Sequence, residues 1–144
     1  MNPIVLLALI GVLGGIAVGL QGPIGGAMSQ RVGGASSSLV IHLGGAVCSL
    51  ILLLGRGGEQ MRHWRDLSWF MWGAGALGVV LYLTISVTFP RLGAAMAITC
   101  IIVGQLLAGV VLDHFGLGGV ARPLGLSRAL GVGVVLTGAW LIYR

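Results

Sequence analysis

The sequence contains no lysine, only three acidic residues, and 8% charged residues in a chain of 144. A soluble domain carries roughly 25% charged residues, because water must wet its surface. Eight arginines with Glu59, Asp66 and Asp113 leave too little polar surface to coat a globule. None of the long apolar runs has a charged face, which excludes the amphipathic helices of a water-soluble core. Burial in lipid is what remains.

Further scarcities narrow the chemistry. No carboxylate falls within an apolar run: Glu59 and Asp66 sit in a polar loop and Asp113 at the end of the fourth run. Proton-driven exchange of organic cations ordinarily uses an intramembrane carboxylate, so an exchanger of that type is disfavoured. His42 is the only titratable substitute, read as a shallow group about one turn inside the second run. There is no Ser/His/Asp set and no metal-ligand spacing, and the Gly-rich stretch after His114 lacks the Lys of a phosphate loop. No enzyme activity, metal or cofactor is expected. Cys48 and Cys100 lie within apolar runs and read as small packing residues. The arginines are scattered singly, which suits anchoring to lipid headgroups and argues against a nucleic-acid partner. Met1-Asn2-Pro3 lacks the positive start of a signal peptide, so the first run is read as a membrane segment.

What the chain does contain is apolar residues, 57% of the total, with a mean hydropathy of +1.07. A spanning helix needs roughly 20 of them. Five stretches qualify, at about 4–28, 38–54, 69–89, 92–112 and 129–143. The expected fold is an all-α membrane protein of about five transmembrane helices, one integral membrane domain over residues 1–144. Phe89-Pro90-Arg91 is the whole link between the third and fourth spans, which implies a tight hairpin. The link from His114 to Arg128, with Gly116, Gly118, Gly119, Pro123 and Gly125, is expected to be irregular. Trp64, Trp69, Trp72, Trp140 and Tyr143 suit the membrane interface. Arg56, Arg62, Arg65, Arg122 and Arg128 fall on one side, and Arg31, Arg91 and Arg144 on the other. The positive-inside rule places the N-terminus in the cytoplasm by a margin of two charges, small enough to permit insertion both ways round.

Helices in lipid associate through close contact at small residues. Gly11, Gly15 and Gly19 form such a stripe on the first span, and Gly104 with Cys100 and Ala108 forms one on the fourth. Bundle packing explains most of these; smooth glycine faces also let helices slide or rock. Polar residues at depth mark either an interhelical hydrogen bond or a solute-facing cavity. Gln21, just before Gly22-Pro23, and Gln105, in the middle of the fourth span, carry both readings. Pro23 is expected to distort the first helix and free a carbonyl near Gln21. Thr84 and Thr88 share a face of the third span and join the candidate solute-binding set, although such hydroxyls often bond to their own helix. Asp113 is expected to pair at the interface with Arg122 or Arg128.

Pro90-Arg91-Leu92-Gly93-Ala94-Ala95, Gly104-Gln105-Leu106 and Asp113-His114-Phe115-Gly116 resemble a short branch of the drug/metabolite transporter superfamily. Leu20-Gln21-Gly22-Pro23-Ile24, and Trp69 with Ala74-Gly75 and Gly78, are similar to the same branch. The resemblance implies a multi-pass protein of the bacterial inner membrane. It also implies an antiparallel (inverted-topology) dimer with a second copy or a similar sister subunit. Where the branch usually has Asn four residues after the glutamine of the first span, this chain has Gly25. The leading expectation is a transporter of an unknown small polar or neutral solute, bound at Gln21, Gln105, Thr84 and Thr88. Its rivals are a non-transporting scaffold or partner subunit, favoured by the loss of Asn at position 25, and a passive channel.

Overall fold

A computed structural model describes residues 2–117 and 121–144; the Gly118 and Gly119 part of the expected irregular link, and Met1, lie outside the described residues. Helix α1 covers Pro3–Val32, α2 Gly34–Gly55, the single turn α3 Trp69–Trp72, α4 Ala74–Leu92, α5 Ala94–Phe115 and α6 Leu126–Tyr143. Counting α3 with α4 as Trp69–Leu92, five helices are long and apolar enough to cross a membrane. The fold is therefore all-α and multi-pass, with no strand among the described residues.

The helix ends follow from local chemistry. Asn2 caps α1, its Oδ1 accepting from the Ile4 N–H at 3.0 Å, and Pro3 follows where its missing donor is harmless. At the other end, Gly33 turns the chain with φ 86° and ψ 156°, and α2 begins on the next residue. Gly93 does the same between α4 and α5, with φ 76° and ψ 168°. A side chain there would clash with its own backbone, so each single-residue turn requires glycine. These turns lengthen the helices beyond the apolar runs: α1 reaches Val32 rather than residue 28, and α2 starts at Gly34 rather than 38.

The helix does not break at Pro23: α1 continues through it as one helix of 30 residues. A proline in a spanning helix removes one backbone hydrogen bond, a loss that neighbouring groups can absorb. The link before α3 is also more regular than its composition suggests, with a 3-10 helix over Met61–Asp66. There Arg56 pairs with Glu59 at 2.7 Å, and Trp64 meets Trp72 edge to face with centroids 5.5 Å apart.

The contacts divide the chain into two compact units, Met1–Arg91 and Leu92–Arg144. In the first, α1 buries Gly22, Gly25, Gly26 and Ser29, and α4 buries Tyr82, Ile85, Ser86 and Phe89. The spacing places each set on one helical face. The faces are complementary in size, mostly bare backbone on α1 against large side chains on α4. A Cβ on Gly22 would land inside the Phe89 ring, and one on Gly25 would lie 2.8 Å from Tyr82 Cε2. Two hydrogen bonds tie the faces: the Tyr82 hydroxyl donates to the Gly25 carbonyl at 3.0 Å, and Ser29 Oγ reaches the Ser86 carbonyl at 3.2 Å. Tyr82→Phe removes only the first bond and is expected to lower stability by about 0.5–1.5 kcal/mol, measurable by chemical unfolding in detergent.

In the second unit, α5 and α6 are joined at their loop ends. Arg128 Nη2 donates to Asp113 Oδ2 at 2.9 Å while its Nη1 donates to the Arg122 carbonyl at 2.8 Å. The backbone N–H of Arg122 donates to the Asp113 carbonyl at 2.8 Å.

Candidate functional site

The polar residues of the spanning segments fall into two groups, those satisfied by their own helix and those that are not. Thr84 Oγ1 donates to the Val80 carbonyl at 3.0 Å and Thr88 Oγ1 to the Thr84 carbonyl at 2.8 Å. Thr99 does the same toward Ala95 at 2.8 Å. Their donors are already engaged, which leaves only an acceptor lone pair for a solute.

Gln21 and Gln105 differ. Both side chains are exposed on apolar helices, and among the described residues neither amide makes a hydrogen bond. Gln21 lies at the flank of the α1 face that carries Gly22, Gly25 and Gly26. Gln105 lines a groove of about 570 Å³ between α5 and α6, with Gly109, Asp113, Arg128 and Gly131. Gln105 and Asp113 are eight residues apart on α5, so amide and ion pair occupy one side of that helix. The amide of a glutamine offers two donors and two lone pairs, all of which need partners in hydrocarbon.

Asp113 has Arg128, not Arg122, as its side-chain partner, since Arg122 contributes backbone groups. The two charged side chains remain 38% and 35% exposed, so solvent screens them. Arg128→Ala should change thermal stability by less than about 1 kcal/mol, a small effect readable by the same unfolding assay.

The glycines separate along similar lines. Gly11, Gly15 and Gly104 have no atom within 4 Å of an added Cβ, and Gly19 is half-buried. Helix contact within the chain instead uses Gly22, Gly25 and Gly26, one to two turns further along α1.

One sequence signal accounts for this and is easy to overlook. Positions 22, 25, 26 and 29 are buried on α1, and 82, 85, 86 and 89 on α4, the same pattern displaced by 60 residues. Beyond them Arg31, Gly33, Ala35, Ser37 and Gly44 correspond to Arg91, Gly93, Ala95, Ala97 and Gly104. Ser37 and Ala97 are both fully buried, and the two glycine turns share one backbone conformation. The two stretches thus carry one sequence pattern at an offset of 60 residues.

Five helices long and apolar enough to cross a membrane, several with polar groups on their faces, define a multi-pass membrane protein. The chain belongs to the family described as "Putative inner membrane exporter, YdcZ", which covers residues 6–141, within the drug/metabolite transporter superfamily. Its place is accordingly the inner membrane. No curated protein and no solved structure matches the chain.

Proposed function

We propose that the protein exports a small polar or neutral solute that meets Gln21 and Gln105, with a second chain completing the path. The carrying observation is that, among the described residues, neither amide has a hydrogen-bond partner while both are exposed on apolar helices. A polar group left so in lipid is costly, and a partner chain with an aqueous cleft removes that cost. The small arginine bias suits two chains inserted in opposite directions, with a second copy or a similar sister subunit as partner. Gln21, Gln105 and the lone pairs of Thr84 and Thr88 are the groups that meet the solute.

The structure bears on the rival reading of a partner subunit. An asparagine at position 25 would collide with Tyr82, whose hydroxyl already bonds the Gly25 carbonyl. On our reading the Tyr82 hydroxyl of α4 stands where the branch has the asparagine of α1.

Flux in liposomes separates the readings. The purified protein, tested against a panel of sugars, polyols, amides and amino acids, should carry at least one with saturable kinetics. Saturation absent at high concentration indicates a channel, and no flux of any solute indicates a scaffold or partner subunit.

A further inference from the structure

His42 lies deeper than the sequence suggests. Because α2 starts at Gly34, eight residues earlier, the imidazole is about 12 Å from that end of the helix. It sits against α4, with Nε2 3.2 Å from where a Cβ on Gly78 would be, and its ring meets Tyr82 edge-on with centroids 6.3 Å apart.

The two ring nitrogens are in different situations. Nδ1 is 2.7 Å from the Ser38 carbonyl and 3.3 Å from Ser38 Oγ. A carbonyl can only accept, so Nδ1 carries the hydrogen and Nε2 is the bare nitrogen of the neutral ring. Among the described residues Nε2 has no hydrogen-bond partner. It is not sealed off either: His42 is half-buried, and no fully enclosed side-chain nitrogen or oxygen lacks a partner among the described residues. Nε2 is therefore a basic atom within a spanning helix pair, open to a small probe and unoccupied by the protein itself.

The surroundings permit it to change charge. Among the described residues, the titratable group facing it is the Tyr82 phenol from α4; Gly78 contributes no side chain, and Ser38 of its own helix is neutral. The acidic residues Glu59 and Asp113 are each held by an arginine outside this region. Imidazole gains and loses a proton near neutral pH. The carboxylate of a spanning helix, Asp113, lies in the last turn of α5 and is engaged by Arg128.

We infer that His42 is the proton-coupling group of this protein, a role that rests on the transport reading above. Nε2 takes a proton from water on one side of the membrane, becoming part of an imidazolium, and returns it to water on the other. The protonated ring keeps its Nδ1–H bond to Ser38 and gains a second donor at Nε2 toward the helix pair's interior. Movement of α4 past α2 at Gly78, where no Cβ obstructs the ring, would change which side reaches Nε2.

The test uses the full chain in liposomes containing a trapped pH dye, with a potassium diffusion potential to drive protons. Proton entry above that of empty vesicles is expected, reduced at least tenfold by His42→Gln and unchanged by His63→Gln. Gly78→Ala retains the imidazole but crowds Nε2, and should slow entry several-fold while the protein remains folded. In parallel, ¹³C-histidine NMR should show one resonance, absent from His42→Gln, that moves when the pH is changed. Proton entry that persists in His42→Gln, no proton entry in the unmodified protein, or a His42 resonance that never titrates overturns the inference. Solute flux that survives such an outcome leaves the transport reading intact. His42-dependent proton entry without flux of any solute leaves the proton nothing to couple to and overturns both.

Discussion

Gly22→Leu should prevent α1 and α4 from forming their contact, and little folded protein should survive extraction into mild detergent. The Phe89 ring occupies the volume that a Cβ at position 22 would need, so even Gly22→Ala forces the ring or the helix to move. Overpacking of this kind costs about 1–3 kcal/mol for small additions, and the larger leucine cannot be accommodated by a rotamer change. Gly15→Leu is the control. It adds the same side chain to the same helix, but no atom lies within 4 Å of its Cβ. Within one chain it should be neutral, so any loss at Gly15 points to a contact with another chain. Size-exclusion profiles and thermal unfolding of the two variants distinguish these cases.

Gln21→Leu and Gln105→Leu should each lower solute flux at least tenfold while leaving the fold as stable as before, or more so. Neither amide bonds to another of the described residues, so its removal breaks no bond there, and leucine is at home in lipid. A glutamine serving as structural glue behaves differently, since its loss leaves a buried partner unsatisfied at about 1–3 kcal/mol. Stability and flux measured on the same preparation therefore assign the role. Loss of both together would mark the glutamines as packing residues.

The membrane fold was legible from composition because lipid imposes only two demands, length and apolarity, and five runs met both. Helix ends were less so. Hydropathy registers the apolar part of a helix but not its backbone angles, so α1 and α2 were read as ending and starting several residues from Gly33. The single-residue turn depends on a positive φ, which composition does not record. Pro23 suggested a break, yet one missing N–H did not outweigh the remaining bonds of a 30-residue helix.

At the candidate site, Gln21 and Gln105 stood out because amides are conspicuous in an apolar run. Whether they have partners is a tertiary fact, and the structure supplies it. The glycine face that packs within the chain was missed for a physical reason. Gly11, Gly15 and Gly19 have the more regular spacing, but contact depends on what the opposite helix presents, and the large side chains Tyr82 and Phe89 face Gly22 and Gly25. The 60-residue repeat was obscured likewise, because its two packed faces are complementary rather than alike. Gly22, Gly25 and Gly26 in one copy answer to Tyr82, Ile85 and Ser86 in the other, while Arg31, Gly33, Ala35 and Gly44 are among the positions that keep their identity. His42 was read as shallow because its helix was started four residues late, at 38 instead of Gly34.

The dependence of the cleft on a second chain can be tested by cross-linking in native membranes. In a background with Cys48 and Cys100 replaced by serine, single cysteines at positions 21 and 105 are treated with a short bis-maleimide, and loop cysteines at 57 and 91 are labelled from each side of the membrane. The account predicts covalent dimers through 21 and 105, with each loop position labelled in part from both sides for a homodimer, or dimers only with a co-expressed sister chain. Monomers alone at both positions, with every loop reached from a single side and no dependence on a sister chain, would contradict it.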